Sequence, residues 1–115
     1  MRRDELYLRD IIEAAGHIAL DISEMRRDDF VANRTVRDAV ARNLTIIGEA
    51  CARISAGLKE KYTDIPWPDI VAFRNILVHS YFGIDWDIVW LAASREAPLL
   101  AAEVGRILEA EFPGE

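Results

Sequence analysis

The sequence of 115 residues predicts an all-α fold, an up-and-down bundle of four to five helices spanning a single domain over 1–115. Three observations carry that expectation. Apolar residues recur at steps of three and four along two long stretches. No stretch shows the alternation of a half-buried strand. Turn and stop residues, among them Gly57, Pro66, Gly83 and Pro98, punctuate the chain.

In the first helix Leu8, Ile11, Ile12, Ala15, Ile18, Ala19, Ile22 and Met25 form the apolar stripe. In the second, Val36, Val40, Leu44, Ile47, Cys51 and Ile54 do the same. Its other face carries Asp38 with Arg42 and Glu49 with Arg53, acid four residues before base, which suits a solvated surface. Gly48 lies beside the stripe and lets another helix approach closely. Residues 56–66 read as loop, with Gly57, Lys59, Lys61, Asp64 and Pro66. Pro68 suits the first turn of a third helix, and Asp69 favours the same end. That helix runs to about Val78 or Tyr81 and stops near Gly83. Asp85 is the expected N-cap of a fourth helix. Pro98 is expected to break or kink the last helical stretch, leaving Leu99 to Phe112 as a final segment.

Composition narrows the function. Hydrophobic residues make up 51% and charged residues 30% of the chain, as in a globular protein rather than a disordered one. A domain of this length buries roughly 65% of its unfolded surface, so it needs no staple. The start, MRRDELYLRD, lacks the apolar core of a secretory signal, and no apolar run reaches the length of a membrane span. A lone cysteine, Cys51, excludes an internal disulfide and a cysteine-based zinc site. These features point to the cytoplasm. The net charge of −6 argues against a bulk nucleic-acid coat. It is uneven: residues 1–25 carry −3, residues 26–82 carry +2 and residues 83–115 carry −5. The middle third suits a phosphate; the acidic ends suit a basic partner or plain solubility.

The stretch RNILVHSYFG, Arg74 to Gly83, concentrates the chemistry. Arg74 and His79 lie five residues apart, about 140° on a regular helix, so one narrow stripe does not explain both. Asn75 and His79 are neighbours at i,i+4. Either the backbone loosens near the helix end or a second subunit completes the site. Histidine moves protons near neutral pH without a metal, and arginine forks onto phosphate oxygens. Together they suit cleavage of RNA by attack of its 2′-hydroxyl on the neighbouring phosphate. The plain alternative is an ordinary ion pair at Arg74 and a histidine at a helix C-terminus.

The string Arg74-x-x-x-x-His79-x-Tyr81, with Asn75 after the arginine, resembles the motif of the HEPN superfamily and of its HepT branch. "NLTIIGEACARIS", "IPWPDIVAFRN" and "YFGIDWDIVW" resemble that family in the same order, so the likeness covers nearly the whole chain. The resemblance implies a metal-independent ribonuclease toxin of a toxin–antitoxin pair, with no cofactor, acting as a homodimer whose two motifs face each other. It implies a partner, an MntA-like nucleotidyltransferase antitoxin that transfers AMP from ATP to the motif tyrosine, and it is compatible with larger hetero-complexes. Carried over, Arg74 binds and stabilises the scissile phosphate, His79 is the acid/base, Asn75 holds the site's geometry and Tyr81 is the modified residue. The alternative from another class is a non-catalytic helical module that binds a substrate or partner for a nucleotidyltransferase; a third is a scaffold whose motif only closes a dimer.

Other residues read more blandly. His17, between Glu13 and Asp21, is half of a metal site or, more simply, a solvated histidine. Trp67, Trp86 and Trp90 are expected in the core or at an interface rather than stacking bases. Arg34, Arg37 and Arg42 are expected on a salt-bridged solvent face rather than guiding RNA. Cys51 reads as core and Ser80 as helix-end polarity.

Overall fold

The computed structural model describes residues 2–114, so residues 1 and 115 of the expected domain lie outside it. Helix α1 (Arg2–Asp21) leads through a short turn into α2 (Arg27–Ala32), which abuts α3 (Arg34–Arg53). Helix α4 (Ala56–Lys61) precedes α5 (Trp67–His79), and a single 3₁₀ turn (Tyr81–Gly83) follows it. Helix α6 (Trp86–Leu91) then passes through one π turn (Ala92–Glu96) into α7 (Ala97–Glu111). Every element is helical among the described residues, and the long ones form the expected bundle: α3 packs on α1 and α5, and α1 packs on α7. The body measures 42 × 28 × 20 Å.

The periodic stripes supply the core. Leu8, Ile11 and Ile18 of α1 meet Val40, Leu44, Ile47 and Cys51 of α3, and Val104 and Ile107 of α7 close the centre. Four stripe members sit differently: Ile12, Met25 and Val36 are half-buried and Ala19 is exposed, because the contact is narrower than the stripe, and Ile22 and Met25 lie in the turn after α1 rather than on it. Phe30 anchors α2. Fully buried, it packs against Trp86 and Trp90 at centroid distances of 6.3 and 5.4 Å, a burial that contributes about 1.5–3 kcal/mol.

Caps explain the boundaries. Asn33 Oδ1 accepts from the Val36 amide at 3.0 Å and starts α3; Asp85 caps α6 as expected, accepting from the Asp87 amide at 2.9 Å. Residues 56–61 are a helical turn rather than loop. Ser55 caps it, accepting from Leu58 N at 3.3 Å, and Leu58 is buried. The same Ser55 donates its amide and hydroxyl to the buried Asp4 carboxylate at 2.9 and 2.6 Å, tying the start of α1 to α4.

One expected stop is borne out and one is corrected. Helix α5 ends at His79, between the expected Val78 and Tyr81 and short of Gly83. Ser80 leaves the helix at φ −131°, and Gly83 closes the 3₁₀ turn without a positive φ. Pro98 does not break the last stretch, which is continuous from Trp86 to Glu111. The π turn ahead of it widens the spiral, with the Ala97 amide reaching back to Ala92 O, so the proline enters where a regular turn would clash.

Candidate active site

The seam between α3 and α5 is close at Gly48. A Cβ built there would meet Arg74 Cγ at 2.7 Å and the Ile70 carbonyl at 3.5 Å, and Arg74 Cβ closer still. The glycine expected to admit a neighbouring helix therefore admits the stem of Arg74. With its stem laid across α3, Arg74 donates from Nη1 to Glu49 Oε2 at 2.6 Å, a charge-assisted bond. Its side chain is only 19% exposed, and its Nε is buried without a hydrogen-bond partner among the described residues.

Tyr81 is held from the same helix. Its hydroxyl donates to Asp38 Oδ1. Its ring stands edge-on to Trp86 and Phe82 at 5.8 and 5.9 Å. Arg37, one residue before Asp38, lies over the Trp86 ring at 4.9 Å and donates to Val31 O at 2.9 Å. Arg37 thus holds an aromatic ring rather than an acid. Asp38 and Glu49 are eleven residues apart, close to three full turns, so both acids sit on one stripe of α3.

This corrects the expected pairing of Asp38 with Arg42 and Glu49 with Arg53. An exposed i,i+4 pair contributes only a few tenths of a kcal/mol, and a partner fixed on a packed helix wins. The two acids serve the motif instead. Sequence reasoning singles out neither Asp38 nor Glu49 as a partner of the motif, and no spacing within α3 points to them.

His79 is the last residue of α5 and is exposed, as is Asn75. Arg74 turns toward α3, and the rotation of about 140° carries His79 away from that seam. The hydrogen bonds among the described residues link none of Arg74, Asn75, His79 and Tyr81 to one another. One chain therefore strings the motif along the C-terminal half of α5 and the 3₁₀ turn after it, without closing it into a pocket. A hollow of about 340 Å³ between α3, α5 and the last helix is lined by residues that include Leu44, Ile47, Phe73 and Leu100, and no motif residue lines it. An open surface suits a polymer better than a small molecule. Ile76 and Val78 of α5, Phe82 of the turn after it and Ile88 and Leu91 of α6 stand exposed, Phe82 fully.

The remaining candidates resolve simply. Trp67 is buried and donates Nε1 to Tyr62 O at 3.0 Å; Trp90 packs on Phe30. Cys51 is buried, and burial pushes its thiol up to about 12, out of reach as a nucleophile. His17 is exposed, and no group of three or more His, Cys, Asp or Glu among the described residues is placed to hold a metal ion. Ser80 is the exposed C-cap of α5. No helix among the described residues is long and apolar enough to cross a membrane.

Comparison with known proteins places this arrangement among relatives. The family model described as "Ribonuclease HepT-like" matches residues 5–107. The Methanocaldococcus jannaschii protein named "Putative RNase MJ1380" is 38% identical over 104 residues, 90% of this chain and 95% of that protein. "Probable ribonuclease HepT" of Thermococcus cleftensis is 34% identical over 101 residues, 88% of this chain and 92% of that protein. "Putative RNase TTE0752" of Caldanaerobacter subterraneus is 32% identical over 111 residues, 96% and 99% of the two chains. No solved structure matches.

Proposed function

Because the chain belongs to the HepT-like ribonuclease family, we propose that it is a metal-independent endoribonuclease toxin that cuts RNA with Arg74 and His79 and is silenced when Tyr81 receives AMP. Cleavage by the RNA's own 2′-hydroxyl needs three things: a base for that hydroxyl, an acid for the departing 5′-oxygen, and positive charge on the phosphorane between them. His79 moves the proton, and the Arg74 guanidinium carries the charge. Asn75, one turn before His79, holds the imidazole's surroundings. No cofactor takes part.

One His79 serves one proton transfer at a time. A homodimer with two motifs face to face supplies both, and the two arginines with them. The exposed Ile76, Val78 and Phe82 within the motif stretch support this reading, because neighbouring exposed apolar side chains suit an interface. The antitoxin is an MntA-like nucleotidyltransferase, in a larger complex with the dimer inside the cell. AMP on Tyr81 adds bulk and negative charge two residues from His79 and repels the RNA backbone.

The observation that carries the reading is the presence of Arg74, His79 and Tyr81 along the last turns of α5 and the 3₁₀ turn after it, on an open surface, in a chain of this family. The test is RNA cleavage in EDTA by the purified protein, beside His79→Ala and beside protein first treated with the antitoxin, ATP and magnesium. Cleavage lost in both is the expected result. No cleavage by protein shown by mass to be unmodified overturns the ribonuclease reading in favour of a binding module.

A further inference from the structure

The Tyr81 hydroxyl points at a carboxylate that has no other charged partner. Among the described residues Asp38 enters no salt bridge, whereas Glu49, on the same stripe of α3, is spent on Arg74. Glu49 is already engaged by a guanidinium, whereas Asp38 accepts only the Tyr81 hydroxyl among the side-chain hydrogen bonds of the described residues. The tyrosine is also fixed. Trp86 and Phe82 stand edge-on to its ring, and Arg37, stacked on Trp86, braces that wall from α3. The ring stays partly exposed, so a second reactant can reach the oxygen.

From this geometry we infer that Asp38 is the catalytic base for group transfer to Tyr81, so that the modified protein supplies its own proton acceptor. The inference rests on the AMP-transfer reading of Tyr81 given above and adds a residue to it. The step balances as follows. Tyr81 Oη forms a bond to the α-phosphorus of ATP held by the nucleotidyltransferase. The bond from that phosphorus to the bridging oxygen of the β-phosphate breaks, and pyrophosphate leaves. The phenolic proton passes to the Asp38 carboxylate and from there to solvent. The geometric requirement for a base, hydrogen-bond reach of the proton it takes, is met before the nucleotide arrives.

The product no longer fits its cradle. The ester oxygen has no proton to donate, and the phosphodiester puts a negative charge beside Asp38. The carboxylate that assists the transfer then repels its product, pushing the adenylyl group away from α3 and out over the end of α5.

The test measures incorporation of AMP by mass spectrometry, using purified MntA-type nucleotidyltransferase, ATP and magnesium, on wild type, Asp38→Asn, Asp38→Glu and Tyr81→Phe. Asn keeps the shape and an acceptor oxygen but not the basicity. The expected result is a fall of about a hundredfold in rate for Asp38→Asn at neutral pH, typical of a lost general base. The variant's rate should climb steadily with pH toward the phenol range of about 10, because the tyrosine must then ionise unaided. Asp38→Glu should recover much of the rate. A purely structural role for Asp38 predicts no such change in the pH profile. Equal rates and equal profiles for wild type and Asp38→Asn overturn the role of Asp38 alone. No AMP on wild type, or undiminished AMP on Tyr81→Phe, overturns the modification reading and this inference with it.

Discussion

Gly48 and Arg74 occupy one point of the α3–α5 seam: a methyl group on Gly48 would stand 2.7 Å from Arg74 Cγ and nearer still to its Cβ. Two effects compete in Gly48→Ala. Alanine gains about 1 kcal/mol of helix propensity. Overpacking against a rigid stem costs about 1–3 kcal/mol, and here the obstacle is a Cβ on a packed helix rather than a flexible tip. The clash wins. The variant is expected to melt lower than wild type, with cleavage falling further than stability because Arg74 is the group displaced. A Tm equal to or above that of wild type shows the seam to be softer than this.

Glu49 separates site geometry from stability. It is about half exposed, so its pair with Arg74 contributes at most about 1 kcal/mol to folding. The same bond fixes where the guanidinium lies, and small misplacements of a positioning cation are costly to a reaction. Glu49→Ala is therefore expected to lower RNA cleavage by about tenfold while moving the urea midpoint little. Activity at the wild-type level shows that the seam alone fixes Arg74.

Phe82 tests the proposed association face. Its side chain is fully exposed and meets the rest of the chain chiefly at the edge of Tyr81. Surface changes of this kind usually stay within about 0.5 kcal/mol of wild-type stability. Phe82→Ser is expected to weaken self-association, measured by sedimentation, at unchanged melting temperature. A variant that associates as tightly as wild type, or a wild type that does not self-associate, overturns the proposed dimer contact at Phe82.

Much of this was legible in the chain and some was not, for identifiable reasons. Leu8, Ile11 and Ile18 against Val40, Leu44 and Ile47 follow from periodicity, since a stripe has only one way to be buried. The cap at Asp85 and the close approach at Gly48 follow from local chemistry. Helix α4 did not, because its single buried residue, Leu58, gives no period to read. Nor did the π turn before Pro98, because a proline's clash can be met by stopping the helix or by widening it. The partners of Asp38 and Glu49 were the chief loss. Spacing along α3 offers each a local arginine, and nothing in one helix says that Arg74 and Tyr81 will arrive on that face.

The Asp4–Ser55 contact is a long-range tie of the same kind, and it is buried. Asp4 is 3% exposed and takes both the amide and the hydroxyl of Ser55. Asp4→Ala strands a backbone donor and unfixes the cap of α4. The expected cost is about 2–3 kcal/mol, seen as a lower urea midpoint with an unchanged slope. Asp4→Asn, which keeps an acceptor, should lose less. Equal losses in the two variants indicate that the charged carboxylate with its two acceptors, rather than an acceptor of that shape, holds this corner.

The end of α7 carries a pH signature. Glu111 accepts from Lys61 at 2.8 Å and from the Tyr62 hydroxyl at 2.6 Å. The hydrogen bond from Lys61, then that from Tyr62, holds the Glu111 carboxyl below its ordinary range. The same carboxylate raises Lys61 and Tyr62 above theirs. The signs oppose. A lowered carboxyl contributes stability above its unfolded value of about 4.3, and the contribution is lost as pH falls through the folded value. A raised phenol or ammonium contributes below its unfolded value of about 10, and the contribution is lost as pH climbs through the folded one. Glu111→Gln removes the charge both depend on. Wild type should therefore exceed the variant most between about pH 5 and 9, with the gap closing on the acid and the alkaline side. Urea midpoints at acid, neutral and alkaline pH measure it. A gap that stays constant across that range assigns the contact to packing, with no electrostatic share.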